Sequence, residues 1–130
     1  MRRSLPFAIL LLVASATLGA ARADGPGRFV VYFGSWSALI EPTAQRVIAA
    51  AAAAARQDAA APVSVTGYAS TIGSVAANAL LSQLRAQMVS DELVADGVDA
   101  KRITLAATGA TSFLVQPVES RRAVIEIGTR

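Results

Sequence analysis

The segment GYASTIGS, Gly67 to Ser74, joins a stretch that reads as a strand to one that reads as a helix, and it carries two glycines and four hydroxyls counting Tyr68. Such a junction presents unpaired backbone N–H groups at the positive end of a helix, which favours an anionic group there. It lacks the glycine spacing and the lysine of a phosphate-binding loop. What surrounds it is suited to binding rather than turnover. The sequence holds no histidine and no cysteine, so Ser-His, Cys-His and ordinary zinc arrangements cannot be built. Neither a metal nor another cofactor is expected. Asp91 with Glu92, and Asp96 with Asp99, are the carboxylate clusters. Adjacent helical positions diverge, and the second pair flanks a helix-ending turn, which is the pattern of a solvated surface rather than of a general acid and base. No enzymatic activity is expected.

The elements that must position these residues begin after residue 23. Arg2 and Arg3 precede an apolar run from Leu5 to about Ala21, and Ala21-Arg22-Ala23 has the small residues of an A-x-A cleavage site, so residues 1–23 read as a cleaved secretory signal. Cleavage would remove three of the 12 basic residues and none of the nine acidic ones, leaving 9 − 9 = 0. A neutral mature chain has no basic footprint for nucleic acid. Residues 24–130 form one domain with no apolar run able to cross a bilayer and no disulfide to staple it.

RFVVYF (Arg28 to Phe33) is β-branched and aromatic, as in a buried strand. Pro42 suits the first turn of a helix through TAQRVIAAAAAAARQD, whose alanines allow close approach to a sheet. PVSVTGY alternates as a strand, Ser74 is placed to cap a helix that runs to about Ala95, and Gly97 ends it. RITLAAT and RRAVIEIGT also alternate. The order β-α-β-α-β-β predicts an α/β (α+β) sandwich, with two helices on one face of a mixed four-stranded sheet. Leu80, Leu84 and Met88 recur at four-residue spacing as a second apolar stripe on the second helix, either covered within the monomer or open to a partner or a second copy.

The second helix reads N-x-x-L-S-x-x-R-A-x-x-V-x-x-x-L: Asn78, Leu81, Ser82, Arg85, Ala86, Val89, Leu93. With GYASTIGS before it, GVDAKRI after it and the late ESRRAVIEI, it closely resembles the OmpA-like C-terminal domain. That resemblance implies a periplasmic module of the Gram-negative cell envelope that binds peptidoglycan non-covalently. In that family an aspartate in the loop after the second strand grips the amine of diaminopimelate in the wall peptide, and an arginine fifteen positions later grips its carboxylate. The arginine falls on Arg85 and the family's asparagine on Asn78. The aspartate falls on Ser70, the threonine before it on Ala69, the acid common after the first strand on Gly34, and the family's NRR on Ser120-Arg121-Arg122. Tyr68, Ala69, Ser70, Asn78 and Arg85 are therefore the ligand-binding candidates. Ser70 in place of the aspartate implies a grip weakened at the amine, and Arg85→Ala is expected to spare the fold while removing the carboxylate grip. A domain that kept this fold but lost the ligand would serve instead as a protein-interaction or structural module.

Overall fold

The computed structural model describes residues 27–110 and 117–128. The expected signal segment lies outside them. Along the chain run β1 (Arg28–Tyr32), α1 (Pro42–Gln57), β2 (Val63–Ala69), α2 (Val75–Ala95), β3 (Ile103–Ala110), the short α3 (Pro117–Ser120) and β4 (Arg122–Ile127). The four strands lie in the order β1-β4-β2-β3. β4 enters antiparallel between β1 and β2, with Val30 opposite Val124 and Thr66 opposite Val124, while β3 pairs parallel to β2 at the edge. The sheet is thus mixed, as the alternation and element order predict. A one-turn helix, α3, and a 3₁₀ turn at Ala100–Arg102 occupy segments read as loop, where neither has enough length to show a period.

The core lies between the sheet and the two long helices. Val31, Phe33, Val63, Val65, Ala123 and Ile125 meet Ala44, Ile48, Ala51, Ala52 and Ala55 of α1 and Ala86, Val89 and Leu93 of α2. Pro42 occupies the first turn of α1, where its missing N–H costs no hydrogen bond. Four fully or nearly buried alanines on α1 let that helix approach β1 closely. α2 is held closer still. A Cβ on Gly67 of β2 would lie 1.9 Å from the Ser82 carbonyl oxygen, so the helix backbone occupies the space where any other residue would carry a side chain.

Ser74 caps α2 as expected, its Oγ accepting from the Ala77 N–H at 2.9 Å. The inward face of α2 changes character along its length. Its C-terminal half presents Val89 and Leu93, but its N-terminal half buries Asn78, Ser82 and Arg85. Ser82 serves the fold: its Oγ donates to the Ala79 carbonyl at 2.8 Å and accepts from the Gly109 N–H at 3.0 Å, tying the helix to β3. Among the described residues no helix is long and apolar enough to cross a membrane.

Candidate functional site

Asn78 and Arg85 of α2 face the two loops that follow β1 and β2, and together with Arg121 ahead of β4 they close around a cleft of about 90 Å³ lined by Ser35, Trp36, Ser70, Ile72, Asn78, Leu81, Arg85 and Arg121. That volume holds several waters, or the polar end of a ligand, rather than a whole sugar ring.

Arg85 forms its floor. The side chain is only 1% exposed. Its Nε donates to the Ser37 carbonyl at 2.9 Å, Nη1 to the Tyr68 carbonyl at 3.0 Å and Nη2 to the Gly34 carbonyl at 3.1 Å, and the guanidinium carbon stands 5.3 Å from the centre of the Phe33 ring. Three of five guanidinium N–H groups are thereby used and two remain. The carbonyls position the cation without neutralising it, and no carboxylate pairs with it among the described residues. Burial lowers the Arg85 pKa to about 10, with repulsion from Arg121 adding to the effect. The guanidinium is therefore charged at neutral pH and costly to hold, a condition that a bound anion would relieve.

This placement corrects the expectation that Arg85→Ala spares the fold. The side chain ties the loop after β1 to the end of β2, and its removal takes a donor from three carbonyls, of which Gly34's keeps the Ser37 N–H at 3.2 Å.

Asn78 is also 1% exposed. Its Nδ2 donates to the carbonyls of Ile72 at 2.8 Å and Ser74 at 3.0 Å, stitching the loop onto the helix. Those two acceptors fix the amide orientation, since a flipped amide would point oxygen at oxygen. Its Oδ1 is left buried with no donor. Such a group costs about 1–3 kcal/mol when left unpaired, so it marks a place where a donor is missing. Ser70 sits at the rim, half-buried, its Oγ accepting from the Ile72 N–H at 3.0 Å.

The other two candidates lie elsewhere. Tyr68 gives only its carbonyl to Arg85; its ring lies beneath Arg122, 4.2 Å from that guanidinium carbon, on the sheet face away from the helices. Ala69 is fully buried and does not line the cleft. Among the described residues the stripe of α2 is largely open: Leu80 is 66% and Leu84 51% exposed, and Met88 is partly buried.

Trp36 is not singled out by the sequence, and Arg121 is named there only within the segment matching the family's NRR, not as a ligand-binding candidate. Trp36 is 58% exposed and has φ +53, a left-handed conformation uncommon for a bulky side chain. Arg121 donates from Nε to the Phe33 carbonyl at 3.3 Å and, more weakly, from Nη1 to the Ser35 Oγ at 3.4 Å. The match of Ser120-Arg121-Arg122 to the family's NRR, at the start of β4, was the signal that pointed to it. No group of three or more metal-ligating side chains occurs among the described residues.

The model of the OmpA family matches residues 32–124, from the end of β1 into β4. The chain belongs to the OmpA family. Solved structures agree on the fold. The OmpA-like domain of FopA1 from Francisella tularensis is 23% identical with a TM-score of 0.69, over 75% of this chain and 69% of that one. The peptidoglycan-associated lipoprotein from Burkholderia pseudomallei is 20% identical with a TM-score of 0.69, over 76% and 89%. The cell wall anchor of the T6SS from Pseudomonas aeruginosa is 27% identical with a TM-score of 0.63, over 79% and 81%. No curated protein gives a significant match. In this OmpA-family domain Arg85, Asn78 and Ser70 share one cleft, joined there by Trp36 and Arg121.

Proposed function

We propose that this OmpA-family domain is a non-catalytic module of the periplasm, exported by its N-terminal signal, that binds peptidoglycan non-covalently through the cleft under Trp36. The observation that carries the reading is Arg85: a buried guanidinium held by the carbonyls of Gly34, Ser37 and Tyr68, with no counter-charge among the described residues and two N–H groups to spare. A cation with no role beyond stitching loops would be exposed or neutralised more cheaply. The names of two related structures, a peptidoglycan-associated lipoprotein and a cell wall anchor, support the wall as the partner. The ligand end that suits Arg85 is a carboxylate of the peptide stem, such as that of diaminopimelate, with Asn78 and Ser70 as neutral neighbours in the cleft.

Purified residues 24–130 should co-sediment with isolated sacculi, and free stem peptide should compete. Absence of sedimentation with a folded protein would leave the second reading, a protein-interaction or structural module, which one observation favours: Leu80 and Leu84 are exposed side by side on α2. That surface would meet another envelope protein or a second copy.

A further inference from the structure

Among the described residues the cleft is lined by two arginines and no acid. Arg85 and Arg121 are its charged lining groups, and Ser35, Ser70 and Asn78 are the neutral polar ones. Three main-chain carbonyls solvate Arg85 without cancelling its charge, and Arg121 repels it. A ligand that brought an ammonium beside its carboxylate would set that ammonium in a cationic cleft with no anion to receive it. The buried Oδ1 of Asn78 asks instead for a hydrogen-bond donor, and a neutral N–H supplies one without adding charge.

We propose that the cleft selects a carboxylate whose neighbouring nitrogen is acylated, the end of an N-acyl amino acid, and discriminates against the free amino acid. The carboxylate spans the open N–H groups of Arg85 and reaches Arg121, the amide N–H donates to Asn78 Oδ1, and the exposed indole of Trp36 covers the acyl side. Resting on the wall-binding reading, this names the part of the wall concerned: peptide stems whose amino group is already joined in a cross-link, in preference to stems with a free ammonium.

Three probes of one carbon skeleton separate the contributions of charge and hydrogen bonding. Diaminopimelate carries an ammonium beside each carboxylate, N,N′-diacetyl-diaminopimelate an amide, and pimelate neither. Titration followed by the indole N–H resonance of Trp36, the sole tryptophan, should rank the diacetyl compound first, pimelate second and diaminopimelate last. The first step should be on the order of threefold to tenfold, the worth of one neutral hydrogen bond, and the second, set by repulsion of the ammonium in a cationic cleft, about as large. In Ser70→Asp an anion is placed at the rim and the order of diaminopimelate and pimelate should reverse; a cooperative heat denaturation of that variant confirms that it is folded. Diaminopimelate binding tightest to the natural chain would overturn the proposal, as would saturation by none of the three. Sacculus binding that persists while diaminopimelate ranks first would reject the selectivity and leave the wall-binding function standing. Probe binding in the proposed order without sacculus binding would support the cleft's selectivity and reject the function.

Discussion

The edge of the Trp36 indole fills the space above Gly73: a Cβ on that glycine would lie 2.7 Å from Cη2 and 3.0 Å from Cζ2 of the ring. Both residues have positive φ, +53 at Trp36 and +93 at Gly73. Two loops from different strands thus meet in conformations that few residues adopt, at the mouth of the cleft that Arg85 floors. This accounts for the second glycine of GYASTIGS. It provides the surface on which the indole rests.

Trp36→Gly tests whether that strain serves binding. The left-handed conformation costs a non-glycine residue about 1 kcal/mol or more, and the ring is more than half exposed, so little packing is lost. Melting temperature should stay level or rise, while sacculus binding falls severalfold. A large loss of stability would assign Trp36 to the core rather than to the ligand.

Gly73→Ala makes the converse change, leaving the indole in place but moving its support. The added Cβ must displace the ring or the loop, and alanine is strained at φ +93. A loss of about 1–2 kcal/mol follows, which is about 4–16 °C in melting temperature for a domain of this size. The Trp36 emission spectrum should shift. An unchanged spectrum and melting temperature would contradict the contact.

Arg85 divides into two roles that a pair of substitutions separates. Arg85→Ala takes a donor from the carbonyls of Ser37 and Tyr68, while that of Gly34 keeps the Ser37 N–H, and at about 1–3 kcal/mol for each group left unpaired where water does not reach the variant should be destabilised. Arg85→Lys keeps the charge and one or two of those bonds but not the planar fork. It should remain folded with a lower melting temperature and bind sacculi about tenfold more weakly. Equal binding by the lysine variant would exclude a bidentate grip.

Much of this fold is legible in the sequence because its signals are local. The alternation through Val63 and Val65, Pro42 at a helix start and Ser74 as a cap each act within a few residues. The site is less legible because its partners are distant. The acceptors for Arg85 lie 48, 17 and 51 residues away and are backbone carbonyls, which leave no mark in residue type. The N-to-R spacing on α2 brings Asn78 and Arg85 to one cleft, but it does not show that Tyr68 turns its ring to the other side of the sheet. Nor does any pattern announce a tryptophan with positive φ.

Leu84→Glu examines the stripe on α2. Since Leu84 is 51% exposed, the change should alter stability by no more than about 0.5 kcal/mol. If the surface meets a second copy, sedimentation velocity of the natural chain should show a dimer that the variant lacks, because a charge is costly at an apolar interface. Monomers in both would remove self-association through this stripe.

The last prediction follows from the lowered Arg85 pKa, and its sign differs for stability and for binding. The folded-state value of about 10 lies below that of an exposed arginine, so between the two the unfolded chain holds more protons. The unfavourable contribution from this buried charge is therefore constant below about pH 10 and is relieved as pH rises through that value. Carboxylate binding runs the other way, because it needs the charged guanidinium. Affinity for N,N′-diacetyl-diaminopimelate should be flat from about pH 5, above the ligand's carboxylate range, to about pH 9. It should then fall by up to tenfold per pH unit above 10, less if Arg121 retains part of the grip. Trp36 resonance titrations at pH 6, 8, 9.5 and 10.5, with circular dichroism at each pH to confirm the fold, would trace this profile. With no histidine in the chain, a decline already complete between pH 6 and 8 could not come from the residues assigned here, and it would remove Arg85 as the carboxylate's partner.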